Sequence, residues 1–553
     1  MASFENLQVL VIASAPALRS NLRHMLDNFG FHAIQFAVAA TAAVRHLRQQ
    51  PYDLILCDHE LGDGQDGQHL LEDLRQHAII PRDTLFVMIT AERNYERVIS
   101  TAELQPDDYI LTPLAAGTLH TRLTRIIDRR EALLPAWKAM ESGDWLSAID
   151  YCTRAEDNFP QYVLDFLRLK AELQHNIGQL NEAEATYREI FSSTSLPWAK
   201  FGLAQTLALK KNYPEADTLL TELIAENDHF MAAYDLLAQV RTDSGQRQAA
   251  CAVLKTAAER SPYCIGRQRQ LGDLALSVGD AVTAEAVLNE VVQQSAKSDF
   301  RDPEDHVRLV QAQLVQNKLD QARATVKALK SHLGGQPKAE LCTALANAMV
   351  HAKTGDSARA RTDFAAAIKL SSASASLSVG LAQEVVKSCF AQELGDVGSE
   401  MALNLLRVAG DERTVESTRE LLRTHGLETL SQRIEAQIQG EVRQLLTTGA
   451  DRAHADDYDG AVTSMMDAAR RMPGHPIVIF NAALALLRHI ERRGWNKALA
   501  QQARTLIERA RELAPANERI AELAEFMHLL IERERLRSHA DSDTSAKQRV
   551  AQR

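Results

Sequence analysis

Short apolar runs alternate with amphipathic stretches along the first 130 residues. Val9 to Ile12, Ala33 to Phe36, Leu54 to Cys57, Leu85 to Ile89 and Asp108 to Leu111 read as strands. Between and after them, Pro16 to Asn28, Ala40 to Gln49, Gly67 to Gln76 and Ala115 to Arg129 carry apolar residues at helical spacing. The first, third and fourth of these strand runs are apolar at every position, as in a parallel sheet covered on both faces. Five β–α units in about 125 residues predict a small doubly wound sheet, with functional groups at the carboxyl ends of its strands.

Beyond residue 130 the strand signals stop and a period of about 34 residues takes over. A small residue recurs as Ala148, Ala183, Ala216, Ala250, Ala284, Ala322, Ala360, Ala461 and Ala503. Four positions later stands a larger one: Cys152, Tyr187, Leu220, Leu254, Leu288, Val326, Phe364, Met465 and Ile507. The small residue lets two helices approach, the larger one fills the space beside the crossing, and Pro160, Pro262, Pro473 and Pro515 end second helices. Each pair leaves an apolar face open, so neighbours are expected to stack into a superhelical solenoid. The expected organisation is a first domain over 1–130, repeats over 131–374, atypical helical repeats over 375–440, and repeats with a capping helix over 441–537. A disordered tail over 538–553 completes it. The fold class is thus α/β, flavodoxin-like, followed by an all-α array.

Composition narrows the function. The formal net charge of −11 lacks the basic face that nucleic acid or an anionic membrane requires. No run approaches the roughly 20 apolar residues of a membrane span. The six cysteines are scattered without a CxxC pair, which suits a reducing cytoplasm and no zinc site. Gly62 to Gly67 formally matches GxGxxG, yet Asp58, Glu60, Asp63 and Asp66 would repel a pyrophosphate there. His454, Asp456 and Asp457 fall in a turn between helices and read as a solvated loop.

The first 130 residues resemble the receiver domain of bacterial two-component response regulators, and the remainder resembles the tetratricopeptide repeat family. The receiver resemblance implies that Asp58, at the end of Leu54-Ile55-Leu56-Cys57-Asp58, is the phosphoacceptor. It implies that Thr90 is the hydroxyl that contacts the phosphoryl group and Tyr109 the aromatic switch. The family ends its first strand with two acidic residues that hold Mg²⁺; here Ala13 and Ser14 stand there. Its lysine before the proline after the fifth strand is Thr112, before Pro113. Mg²⁺ needs carboxylate ligands, and phosphoryl transfer needs the metal and a cation. The Mg²⁺ site is therefore expected to be lost, with Glu60 and Asp63 as the substitute ligands to test and no other metal or cofactor.

No catalytic signature appears, so the expectation is no enzyme but a pseudo-receiver joined to a protein-binding groove. The groove residues are Arg168, Glu172, His175, Trp198, Phe201, Asp235, Gln239, Arg269 and Asp273, a mixture that suits a peptide or helix. The partner class is a protein such as a histidine kinase or another regulator, with no nucleic acid and no membrane. The alternative is a phosphorelay response regulator in which phosphorylated Asp58 changes partner binding. A new helix is expected to start at Pro135. A homodimer is expected through the receiver face of the fourth helix, fifth strand and fifth helix, which includes Tyr109 and the helix from Ala115 to Arg129. Some of its apolar positions Leu119, Leu123, Ile126 and Ile127 must cover the sheet, which leaves part of the stripe for a partner unless the first repeat covers the face.

Overall fold

The computed structural model describes residues 4–62, 66–90, 106–193, 196–298, 301–373, 377–391, 393–515, 517 and 519–551. Five strands, β1 (Gln8–Ile12), β2 (Ala33–Ala37), β3 (Leu54–Asp58), β4 (Leu85–Thr90) and β5 (Asp108–Leu111), form one parallel sheet in the order β2-β1-β3-β4-β5. Helices α1 (Pro16–Phe29), α2 (Ala40–Gln49), α3 (Gly67–Gln76) and α4 (Ala116–Glu141) cover it. Val9 and Val11 face a core shared with Leu22, Leu26, Leu119 and Leu123. Leu10 and Ile12 face the opposite core with Val44, Leu70, Leu71 and Leu74. Burial on both faces is why these strands read as unbroken apolar runs.

The helix α4 corrects the expected break at Pro135. It runs unbroken from Ala116 to Glu141 with Pro135 inside. Pro135 lies on its exposed side, where water can satisfy the carbonyl that loses its amide partner. Earlier in α4 the buried guanidinium of Arg130 bonds Asp53 Oδ1 at 2.7 Å and Asp83 Oδ2 at 3.2 Å. It thereby ties the helix to the entries of β3 and β4.

The chain divides into two compact units, 1–137 with 194–318, and 138–193 with 319–553. Both contain antiparallel helix pairs built on one rule. Within each unit the link inside a pair passes through a left-handed residue: Gly178, Lys211, Gly245, Gly279, Gly355, Glu393, Gly426 or Asp456. Five residues later a small buried residue follows: Ala183, Ala216, Ala250, Ala284, Ala360, Gly398, Ser431 or Ala461. Residues 375–440 therefore keep the turn and the small residue of the repeat, and depart from it where the helix Glu428–His454 runs on unbroken for 27 residues. They hold the pairs Val379–Ala391 with Gly395–Val408, and Glu412–Thr424 with the start of Glu428–His454. Gly398 and Ser431 replace the alanine, and a Cβ on Gly398 would stand 3.1 Å from the Phe390 ring.

In the second unit the final helix, Arg519–Ala551, packs against Pro476–Arg493, Lys497–Leu513 and the first pair's Trp145–Asn158. It continues through 538–551, where a disordered tail was expected. That stretch contains no Gly or Pro to stop a helix already begun.

Gly272 tests the packing rule. A Cβ there would stand 2.7 Å from Leu288 Cγ, at the crossing of Ile265–Val278 with Ala281–Gln294. Gly272→Val is expected to destabilise the protein by about 1–3 kcal/mol through overpacking, measured as a lower urea midpoint. An unchanged midpoint would show that this crossing is loose.

Candidate functional site

The carboxyl ends of β1, β3, β4 and β5 meet on one edge of the sheet. Register pairs Ile12 with Cys57, Asp58 with Ile89 and Thr90 with Leu111. Ala13 and Ser14, Asp58, Thr90 and Thr112 consequently gather where the sheet places reactive groups. Asp58 is half-buried, and its Oδ1 accepts the Glu60 amide at 3.2 Å. Burial, helped by the Glu60 charge, raises its carboxyl above the usual range against the opposing pull of the Glu60 and His59 amides. Thr90 is buried, and its carbonyl accepts the Thr112 amide at 2.8 Å. Gly67 lets α3 begin against the acceptor loop, since a Cβ there would stand 2.5 Å from the Asp58 carbonyl.

The strand ends offer Mg²⁺ few ligands. Within β1 and β3 Asp58 is the one carboxylate among the described residues; of the two expected substitutes, Glu60 is exposed in the loop after β3 and Asp63 lies outside the described residues. The Ser14 hydroxyl donates to the Glu60 carbonyl at 3.1 Å, so a neutral bond joins the β1 and β3 loops. Arg19 Nη1 donates to the Ala13 and Ser14 carbonyls at 2.6 and 2.7 Å. These carbonyls are oxygen donors of the kind a hard cation uses, and here they are bonded to a guanidinium and a hydroxyl. Tyr109 packs half-buried against the α2–α3 core.

The proposed dimer face is also altered. Leu119, Leu123, Ile126 and Ile127 all lie in the receiver core. The sheet uses the whole apolar stripe, which leaves Thr121, Arg122 and Arg125 outward on α4. The preceding helix of that face lies outside the described residues.

The expected groove residues fall in both units. In the second unit Arg168 pairs with Glu172 at 2.8 Å, and burial with the nearby Arg511 charge pushes the His175 imidazole down to about 4. In the first unit Phe201 packs on Phe230 with ring centroids 5.4 Å apart, Trp198 is half-buried and Gln239 is exposed. Asp235, Arg269 and Asp273 are committed to neighbours. Arg267 holds both Asp235 oxygens at 2.8 Å, Arg269 chelates Asp305 at 2.8–3.1 Å, and Arg308 bonds Asp273 at 2.6 Å.

Sequence reasoning missed Arg267, Asp305 and Arg308. The signal was opposite charges roughly one repeat apart, a spacing that brings first helices side by side. The ladder joins Met231–Asp243, Ile265–Val278 and Pro303–Val315. In the second unit Asp144, His528 and Glu532 bring ligand-type atoms within 4.8 Å of one another. Arg535 pairs with both Asp144 and Glu532, so a guanidinium already supplies the positive charge there. Asp457 caps the helix Tyr458–Arg471, accepting the Gly460 amide, as the solvated-loop reading requires.

A sequence model described as the response regulator receiver domain matches residues 9–124. Chemotaxis protein CheY-3 of Vibrio cholerae is 27% identical over 125 residues, 23% of this chain and 95% of that protein. The KDP operon transcriptional regulatory protein KdpE of Escherichia coli is 26% identical over 176 residues, 31% of this chain and 74% of that protein. A tetratricopeptide repeat protein structure from Parabacteroides merdae aligns over 47% of this chain and 97% of its own, at 16% identity and a TM-score of 0.31. No helix among the described residues is long and apolar enough to cross a membrane.

Two outcomes follow from this geometry. NMR titration of the protein is expected to show no sub-millimolar Mg²⁺ affinity; saturable shifts at Asp58 below that range would reinstate a metal site. In the ladder, crowding by the surrounding protein raises the Asp273 carboxyl to about 6 although its side chain keeps 44% exposure, with Asp305 and Glu304 adding to the rise and Arg308 and Arg269 opposing it. A raised acid stabilises the fold below its unfolded value, and that contribution is lost as pH rises through about 6. Carboxyl NMR is expected to place the Asp273 midpoint near 6, and higher in Arg308→Met. A midpoint in the ordinary aspartate range would refute this.

Proposed function

We propose, for a chain whose residues 9–124 are a response regulator receiver domain and whose later helices form a tetratricopeptide-type array, that this is a non-enzymatic signalling adaptor. Its receiver works without phosphoryl transfer, and its helix pairs bind a partner protein. The observation that carries this reading is the Ser14–Glu60 bond, which joins two loops where the receiver family carries a cation. Phosphoryl transfer is catalysed by positioning and charge neutralisation, and Ala13, Ser14 and Thr112 supply neither a metal ligand nor a cation.

The ligand is a peptide or helix of mixed charge, as presented by a histidine kinase or another regulator. Alternating Arg and Asp along neighbouring first helices support that class, because fixed paired charges give specificity more than bulk attraction. The reading includes a cytoplasmic site of action, no resident cofactor and no nucleic-acid partner. With the α4 stripe in the core, the adaptor is expected to be monomeric through its receiver.

The second reading is a phosphorylation-dependent regulator, favoured by the half-exposed Asp58 at the end of β3 with Thr90 on the adjacent strand. Intact mass after incubation with a small phosphodonor and Mg²⁺ separates the two. No stoichiometric phosphoryl gain is expected, while Ala13→Asp, Ser14→Asp and Thr112→Lys together should restore acceptance. A one-phosphoryl gain in the native chain that disappears in Asp58→Ala would overturn the adaptor reading.

A further inference from the structure

The helix that follows the Asp58 loop has one face turned away from solvent. Within the first unit, α3 lies against residues 263–298 of the helical array. Gln68 Nε2 donates to the Tyr263 carbonyl at 3.4 Å, Glu72 Oε1 accepts the Gly266 amide at 2.9 Å, and Ser298 Oγ donates to Asp73 Oδ2 at 2.6 Å. Gln68 and Ser298 are both buried. The Gly266 amide belongs to the first turn of Ile265–Val278, where free amides and the helix dipole favour a carboxylate.

Position 266 carries the second signal. Glycine in a helix is less favourable than alanine by about 1 kcal/mol. A Cβ at 266 would stand 3.4 Å from Glu72 Oε1, an ordinary contact, so the position faces the carboxylate directly and a side chain longer than alanine would meet it. Burial raises the Glu72 carboxyl above its usual range, against the opposing pull of the Gly266 amide and the His69 and Arg269 charges, and the same Arg269 chelates Asp305 in the ladder. One end of α3 therefore touches the acceptor loop, and its polar face touches the helix that carries Arg269 and Asp273.

We infer that α3 is a cis-docking element: its Gln68, Glu72 and Asp73 seat in a carboxylate-binding site made by Tyr263, Gly266 and Ser298, and so couple the Asp58 loop to the Arg–Asp ladder. This deepens the adaptor reading and rests on it for the ladder's role as a binding face. Coupling between two sites is reciprocal, so a change on either side is felt on the other.

Hydrogen exchange by mass spectrometry on the full chain tests this in both directions. The variant Gln68→Ala with Glu72→Gln and Asp73→Asn is expected to speed exchange in 263–278 about tenfold, as the loss of a few charged hydrogen bonds implies. Gly266→Leu, which improves helix propensity while wedging the contact apart, is expected to speed exchange in 56–76 by a similar factor. Peptides from 461–472 in the second unit serve as the control for global unfolding. Changes below about twofold in both variants, or equal acceleration in the control, would overturn the coupling. Phosphoryl gain on native Asp58 would instead overturn the adaptor reading and leave these exchange rates as they are.

Discussion

The whole helical part depends on how closely two helices of a pair can cross. A left-handed residue reverses the chain, and five positions later a side chain no larger than alanine or serine sits at the crossing. Ala284 clustered with Ala275 of the partner helix, Gly398 against Phe390 and Ser431 at the start of the long helix Glu428–His454 are three chemical solutions to that constraint. Where the turn residue is not glycine, as at Lys211, Glu393 and Asp456, the left-handed backbone costs roughly 1–2 kcal/mol. Packing of the pair offsets that strain.

Close crossing also sets where charge can go. With first helices stacked a repeat apart, Asp235 meets Arg267, Asp273 meets Arg308, and Arg269 meets Asp305. These pairs are partly desolvated, so breaking one leaves the other charge stranded, which is more disruptive than never having had the pair. The ladder thus ties neighbouring first helices together, one repeat to the next.

The receiver shows the opposite economy of charge. Its sheet, register and crossover order are those that gather reactive groups at strand ends, yet the groups gathered there are largely neutral. Ser14 bonds Glu60, Arg19 bonds the β1 carbonyls, and Asp58 stands half-buried without a cation from Thr112. What remains is a rigid α/β body whose α3 and acceptor loop share Gly67 as a point of contact.

The sequence by itself determined the elements and their class. Apolar runs marked buried strands because both faces of a parallel sheet are covered, and nine small–large pairs marked helix crossings because only small residues permit them. It also marked the missing acids at Ala13 and Ser14, since residue identity alone decides whether a carboxylate exists. Only the tertiary structure decided the rest. Gly398 and Ser431 kept the repeat through 375–440 because volume at the crossing matters and alanine as such does not. Leu119, Leu123, Ile126 and Ile127 belonged to the core because the sheet, invisible to helical periodicity, covers that whole stripe. Asp235, Arg269 and Asp273 were paired because their partners lie about one repeat away in the chain, a separation that becomes contact only once the helices stack.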